Sequence, residues 1–247
     1  MSQKLLIQAE HLHHYYDQYH AVNNISITLY QGEVLGLLGQ NGAGKSTTMQ
    51  MLTGNVSPYD GTVKINDISL LDQPLIAKQQ LGYLPETPPL YRDMKVVEYL
   101  RYCGLLHDIP KSELESAVDK VLQRCSLEKM QQRLIANLSK GYQQRVGIAQ
   151  AIIHEPAVII LDEPTVGLDP IQIQEIRVLI KDLAQDHSVM LSTHILQEVE
   201  AVCDRVHIIN EGKTVFVDTL DALKNYQNSE LSSEASLEDI FTVLVKQ

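Results

Sequence analysis

Nine residues near the start of the chain have the types and spacing of a phosphate-binding loop. They follow the apolar run 34–38, lead into a helical pattern, and comprise Gly39, Gln40, Asn41, Gly42, Ala43, Gly44, Lys45, Ser46 and Thr47. This is G-x-x-x-x-G-K-[ST] in a strand–loop–helix context. Glycine permits positive φ, so successive backbone N–H groups can turn inward around a phosphate. The segment predicts an anion-binding cup.

The chemistry of the cup follows from its last residues. A helix beginning near Gly44 adds unpaired N–H groups and the positive end of its dipole. Lys45 can reach the β- and γ-phosphates of a nucleotide, and the Ser46 hydroxyl can bind Mg²⁺. The alternative is a glycine-rich turn that matches by chance, and the preceding strand pattern makes that alternative weaker.

A pair of acidic residues accompanies the apolar run 158–161. Asp162 ends that run, where a doubly wound sheet places its ligand crevice, and Glu163 comes next. A carboxylate at Asp162 can hold Mg²⁺, and Glu163 can orient and deprotonate an attacking water. The alternative is a plain Asp-Glu-Pro turn at a strand end.

Aromatic and histidine residues cluster before the loop. Tyr16 can stack on an adenine ring, and Tyr15 and Tyr19 compete for that role. The alternative for Tyr16 is an ordinary strand-edge tyrosine. The histidines of the segment 11–14 lack a carboxylate or cysteine set at ligand spacing, which favours solvated strand residues over a metal site.

Composition narrows the class of protein. The 247 residues are 44% hydrophobic and carry a net charge of −11, without the broad basic stripe of a nucleic-acid-binding protein. The sequence contains no run of about 18 apolar residues, so no membrane span is predicted, and the polar start does not resemble a signal peptide. We expect a cytoplasmic protein. Cys103, Cys125 and Cys203 lack metal-binding spacing and are expected to be buried thiols.

The remaining patterns predict a mixed α/β organisation. Residues 5–30 suggest a hairpin, and the unbroken apolar run 158–161 suits a strand of a parallel sheet covered on both faces. The segment 94–150 has helical spacing, with a capping box predicted at Ser112–Glu115. The segment 206–217 predicts a second hairpin. Ser236 is expected to cap a helix over 237–245, after a polar stretch, 225–233.

Further motifs give the chain a family resemblance. It is similar to the nucleotide-binding subunits of ATP-binding cassette (ABC) transporters. The residues that carry this resemblance are the Leu138-Ser139-Lys140-Gly141-Tyr142 signature segment, the loop 165–170 after Asp162 and Glu163, and Ser192-Thr193-His194. The match runs over nearly the whole chain in the expected order.

The resemblance implies a fold and a domain plan. The fold is α/β, a P-loop NTPase (RecA-like) parallel sheet core with an antiparallel β-subdomain and an α-helical subdomain. Residues 1–86 and 151–218 would form the ATP-binding core, 87–150 the helical subdomain with the signature segment, and 219–247 a C-terminal tail.

The resemblance also implies roles for particular residues. Ser139 and Gly141 would contact the γ-phosphate bound on a second copy, so ATP would join two copies head to tail. His194 would contact the γ-phosphate and hold the water in line with Glu163. Asp169 would bridge the protomers.

Some residues depart from the commonest family pattern. Glu86 stands where most members have a glutamine; it can still bind Mg²⁺ but cannot donate a hydrogen bond. Lys140 and Tyr142, with the segment 88–91, resemble the branch of single-cassette exporters of drugs, polysaccharides or gliding-motility components.

The predicted function is a transporter ATPase that uses ATP and Mg²⁺. It would drive separate transmembrane permease subunits, lie peripherally on the cytoplasmic face of the membrane, and bind no nucleic acid. The alternatives are a soluble ABC-type ATPase of translation or DNA repair, and a GTPase or small-molecule kinase. A GTPase or kinase would leave the signature segment 138–142 unexplained.

Overall fold

The computed structural model describes residues 4–226 and 236–246. Of the predicted polar stretch 225–233, residues 227–233 lie outside these ranges. The strands, in chain order, are β1 (Leu5–Tyr16), β2 (Tyr19–Tyr30), β3 (Val34–Leu38), β4 (Asp60–Ile65), β5 (Ile68–Ser69), β6 (Leu81–Leu84), β7 (Val158–Asp162), β8 (Ser188–Thr193), β9 (Arg205–Asn210) and β10 (Lys213–Thr219).

The helices lie between and after these strands in the chain. In chain order they are α1 (Lys45–Leu52), α2 (Pro74–Gln79), α3 (Val96–Leu106), α4 (Lys111–Arg124), α5 (Lys140–Ile152), α6 (Pro170–Leu183), α7 (Leu196–Val202), α8 (Leu220–Lys224) and α9 (Leu237–Lys246), with a 3₁₀ turn at Ile135–Asn137. No helix in the described part of the chain is both long and apolar enough to cross a membrane.

The central sheet has six strands in the order β10-β9-β3-β8-β7-β6. Its inner strands are parallel, and β10 joins the edge by antiparallel pairing with β9. Every residue of β7 is buried, since apolar strands covered on both faces need no polar alternation. Because parallel strands point the same way, the ends of β3, β7 and β8 meet at one edge of the sheet.

A second, antiparallel sheet has the order β2-β1-β4-β5. The predicted hairpin is present, since β1 pairs with β2 from Leu5–Tyr30 to Tyr16–Tyr19. One apolar core joins the inner face of this sheet to α1 and the central sheet, and includes Ile7, Ile27, Leu37, Met49 and Ile160. The α/β class, with a parallel and an antiparallel sheet, is confirmed.

A second core lies on the other face of the central sheet. It contains apolar residues of α3 to α7, among them Leu100, Val121, Val146 and Ile180. The three cysteines are buried and free, as predicted. Ser236 accepts a hydrogen bond from the backbone N–H of Asp239, which confirms it as the cap of the last helix.

The capping box predicted at Ser112–Glu115 is wrong. The cap of α4 is Pro110, and the helix begins at Lys111 without a side-chain cap. Proline fixes φ near the value needed to enter a helix, so the helix starts before Ser112. Glu115 instead forms an ion pair with Arg101 of α3.

Candidate active site

The predicted phosphate loop connects β3 to α1. Gly42 and Gly44 adopt φ values of 83° and 102°, in the region that favours glycine. At Gly44 a Cβ would lie 2.5 Å from the carbonyl oxygen of Ala21. Only glycine fits there, which is why the loop can curl back toward the start of α1.

Lys45 lies buried inside this curl. Its Nζ donates to the carbonyl oxygen of Gly39 at 2.9 Å and to that of Gln40 at 3.3 Å. The same nitrogen lies 3.2 Å from Oε1 of Glu163. The lysine predicted to bind phosphate and the glutamate predicted to activate water therefore form a buried ion pair.

Glu163 contacts the other predicted catalytic residue, His194, as well. Nδ1 of His194 lies 2.9 Å from Oε2 of Glu163. An ionised carboxylate only accepts hydrogen bonds, so Nδ1 carries the proton and donates it. Glu163 itself has φ 47°, an unusual value for a residue with a Cβ. Its two carboxylate oxygens thus lie between a cation and an imidazole.

Asp162 ends β7, beside the end of β8. The Ser192 hydroxyl donates to Oδ1 of Asp162, as does the Ser46 hydroxyl at 3.4 Å. Burial raises the pKa of Asp162 above its ordinary value, the two hydroxyls oppose this, and the charges of Glu163 and Glu86 add to it. An electronegative, oxygen-lined position therefore lies beside the loop.

Lys45, Glu163 and His194 line one cleft of about 430 Å³, whereas Asp162 does not line it. Its walls bring together most of the predicted nucleotide, metal and catalytic residues: Tyr16, Asn41, Gly42, Gly44, Lys45, Ser46, Thr47, Glu86, Glu163 and His194. Tyr19, Ala21 and Val166 also line the cleft. Gly39, Gln40 and Ala43 belong to the loop without lining the cleft. Glu86, which was predicted only from the resemblance, lies on the cleft wall.

The turn between β1 and β2 supplies two exposed tyrosines to the cleft. Tyr16 and Tyr19 face each other across the turn, and the Tyr19 hydroxyl donates to the Gly42 carbonyl at 3.3 Å. Tyr15 is turned away, and its ring stacks on that of His20 at 4.0 Å between centroids. Of the three competing tyrosines, Tyr16 and Tyr19 have the position to meet a nucleobase.

The signature segment lines a different, smaller cleft of about 250 Å³. Ser139 caps α5, and Asp169 caps α6 by accepting hydrogen bonds from the N–H groups of Ile171 and Gln172. Gly141 lies against Gln172, whose Cδ would be 2.7 Å from a Cβ on that glycine. Ser139, Gly141 and Asp169 are thus grouped together but share no cleft with Lys45.

Ser192 is a site residue whose role the sequence did not reveal. Its hydroxyl accepts a hydrogen bond from the backbone N–H of Glu163 at 3.0 Å while donating to Asp162. Its position in the register, directly opposite Asp162 on the neighbouring strand, is the signal that identifies it. That signal requires the pairing of β7 with β8, which is not visible in the sequence.

Comparison with known proteins agrees with this geometry. A family model described as ABC transporter matches residues 22–166. An uncharacterized ABC transporter ATP-binding protein of Methanocaldococcus jannaschii is 39% identical over 210 residues, which cover 85% of this chain and 76% of that protein. The bacitracin transport ATP-binding protein BcrA of Bacillus licheniformis is 35% identical, covering 98% of this chain and 79% of its own length.

A solved structure is similar over nearly the entire chain. This ATP-binding subunit of an ABC transporter superposes with a TM-score of 0.85 at 32% sequence identity, covering 97% of this chain and 99% of its own.

Proposed function

Since this chain belongs to the ABC transporter family and is an ATP-hydrolysing subunit of such a transporter, we propose that it dimerises head to tail on MgATP and drives separate permease subunits. One observation carries the catalytic part of the proposal. Glu163 lies between Lys45 and His194, in the cleft formed by the phosphate loop. This arrangement supports the roles that we propose: Glu163 as the base, Lys45 as the phosphate-binding cation and His194 as the orienting imidazole.

The oxygen donors around Asp162 fit Mg²⁺. Within residues 4–226 and 236–246, no three His, Cys, Asp or Glu side chains converge to form a metal cage. Mg²⁺ in nucleotide sites usually has one or two carboxylates and takes its other ligands from water and phosphate. We assign Ser46, Asp162 and Glu86 to this ion, which would supply positive charge to the phosphate oxygens of the substrate.

We assign a different role in ATP hydrolysis to each group of the cleft. The N–H groups of the loop and Lys45 hold the β- and γ-phosphates, and Tyr16 stacks on the adenine. Glu163 takes the proton of the attacking water, while His194 holds the γ-phosphate and keeps the water in line. When Lys45 turns to the phosphates, Glu163 loses its cation and becomes free to act as a base.

The cleft at the signature segment supports a dimer in which a second copy covers the bound nucleotide. Ser139, Gly141 and Asp169 line a surface that shares no residue with the nucleotide cleft of the same chain. A two-fold dimer would place the Ser139 hydroxyl and the N–H groups at the start of α5 on the γ-phosphate of the partner. Each nucleotide would then touch both protomers.

We propose export as the direction of transport and a peripheral position on the cytoplasmic face of the membrane. Support comes from the relative named for bacitracin transport and from the branch resemblance of Lys140, Tyr142 and the segment 88–91. The substrate would be selected by the permease. Tagged chain purified from membranes should bring permease subunits with it, whereas ribosomal or DNA-bound partners would contradict the transport role.

Dimerisation is tested with a variant that cannot hydrolyse ATP. Glu163→Gln should elute as a dimer in size exclusion with MgATP and as a monomer without it. The matched control is Glu163→Gln combined with Ser139→Arg, which should bind a fluorescent ATP analogue normally yet stay monomeric. A dimer that forms equally well in this double variant would exclude the signature segment from the interface.

A further inference from the structure

Helix α7 contains a buried glutamate outside the predicted site. The side chain of Glu198 is 3% exposed. One of its carboxylate oxygens accepts a hydrogen bond from the Thr165 hydroxyl, and the other accepts one from the Thr193 hydroxyl at 2.6 Å. Both oxygens are therefore used, and each is bound to a different segment of the chain.

The two threonines belong to the segments that carry the catalytic pair. Thr165 is two residues beyond Glu163, and Thr193 immediately precedes His194. The Thr193 oxygen also accepts a hydrogen bond from the Ile195 N–H at 3.0 Å, which leaves its own hydrogen to point at Glu198. One carboxylate thus binds both the segment that contains Glu163 and the segment that contains His194.

Stability alone does not account for this arrangement. Among the described residues, Glu198 forms no ion pair, and a buried carboxylate is costly without a cation beside it. Replacing such a hydrogen-bonded group and its partners by apolar side chains of the same shape can be nearly neutral or even stabilising. The φ of 47° at Glu163 also needs support from its surroundings, since the left-handed region is unfavourable for residues with a Cβ.

We propose that Glu198 is a positioning residue for ATP hydrolysis. By holding Thr165 and Thr193, it fixes the distance and angle between the Glu163 carboxylate and the His194 ring. The inference rests on the ATPase activity of the family, and it adds a residue that does not line the cleft. Glu198 touches neither nucleotide nor metal, so it should affect the rate of the chemical step and leave ATP binding unchanged.

Glu198→Gln tests the proposal with a side chain of the same shape. The amide offers one acceptor and one N–H donor where the carboxylate had two acceptors, so one threonine hydroxyl has to turn and accept a hydrogen bond that it formerly donated, which changes its position. We expect kcat to fall about tenfold to a hundredfold, because small displacements of catalytic groups have effects of this size. The affinity for a fluorescent ATP analogue should stay the same. Glu200→Gln, on the exposed face of the same helix, is the control and should match the wild type.

A double variant separates positioning from general stability. In a His194→Ala background the added loss from Glu198→Gln should shrink to less than about threefold, because the geometry it protects is already gone. An equal fold-loss in both backgrounds, or wild-type kcat for Glu198→Gln, would overturn the proposal. Wild-type hydrolysis in the same assay shows that such a result concerns Glu198 and not the ATPase activity.

The threonines give an independent route if Glu198→Gln folds poorly. Thr165→Val keeps the shape of the side chain and removes the hydroxyl, whereas Thr165→Ser keeps the hydroxyl. The valine variant should lose kcat as Glu198→Gln does, and the serine variant should retain most of it. If the two variants behave alike, the hydrogen bond to Glu198 has no part in catalysis.

Discussion

The ammonium nitrogen of Lys45 lies 3.2 Å from Oε1 of Glu163, and both side chains are buried. The group that should bind phosphate and the group that should activate water are therefore each other's partners. A triphosphate would offer Lys45 a stronger anion than one carboxylate, so we expect nucleotide binding to break this pair. This exchange would couple occupation of the loop to release of the proposed base.

Replacing Glu163 with glutamine should therefore strengthen ATP binding and abolish most turnover. The amide no longer competes with phosphate for Lys45, and it cannot take a proton from water. We expect affinity for a fluorescent ATP analogue to rise about threefold to tenfold, and kcat to fall about a hundredfold or more. Glu128→Gln, at an exposed position, serves as the control. Wild-type turnover in the Glu163 variant would contradict the assignment of the base.

Lys45→Ala should remove ATP binding. Among the described residues that line the cleft, Lys45 is the only lysine or arginine. We expect affinity to fall about a hundredfold or more in a direct titration. The variant should also be less stable, since Glu163 remains buried without its cation.

A second substitution separates these two effects of Lys45→Ala. Combining it with Glu163→Gln removes the unpaired charge, so thermal unfolding should return toward the wild-type temperature. ATP binding should stay absent in the double variant. Binding that recovers together with stability would show that Lys45 acts on the fold and not on phosphate.

Glu86→Gln should shift the dependence on Mg²⁺. The carboxylate lies on the cleft wall, near enough for its charge to contribute to the raised pKa of Asp162. We expect the Mg²⁺ concentration for half-maximal ATPase to rise about twofold to tenfold, with ATP binding unchanged. Pro85 and Pro88-Pro89 stiffen the segment around Glu86, which suits a segment that transmits motion to the permease. We therefore also expect the ATPase activity of the variant to respond less to the permease.

The two roles of Glu86 are measured in one experiment. ATPase activity is followed against Mg²⁺ concentration for the wild type and the variant, each with and without the permease. A shift in metal dependence supports the ligand role, and a lost response to the permease supports coupling. Four curves that coincide would leave Glu86 as a loop residue without either role.

His207 makes the stability of the fold depend on pH. Burial, followed by the charge of Arg205, lowers its pKa from 6.5 to about 4. Between these values the unfolded chain binds a proton that the folded chain does not. The free energy of unfolding is therefore not reduced by His207 above pH 6.5. As the pH falls from 6.5 toward 4, protonation of His207 in the unfolded chain lowers this free energy by about 1.4 kcal/mol per pH unit.

His207→Gln should reduce this dependence. The glutamine does not titrate, and its amide can still hydrogen-bond to Thr214, the partner of the histidine ring. The free energy of unfolding, measured in urea from pH 7 to pH 4.5, should fall less steeply than in the wild type. Parallel curves for the two proteins would show that His207 is not the source of the acid sensitivity.

Local patterns were enough to predict much of the fold. The loop 39–47 is recognisable because glycines, a lysine and a hydroxyl must follow one another at fixed positions to surround a phosphate. The β7 strand is recognisable because its first four residues are all apolar, and the hairpin of β1 and β2 because apolar residues alternate. Each signal lies within one short segment, which is why it survives in the sequence alone.

The sequence by itself determined the phosphate loop, the acidic pair at the end of β7 and the family motifs, since their chemistry depends on neighbouring residues. The tertiary structure alone decided that Lys45 pairs with Glu163, that Tyr15 turns away from the cleft, and that Glu198 joins Thr165 to Thr193. These contacts join segments far apart in the chain. Their geometry depends on strand order and register, which arise only when the cores pack.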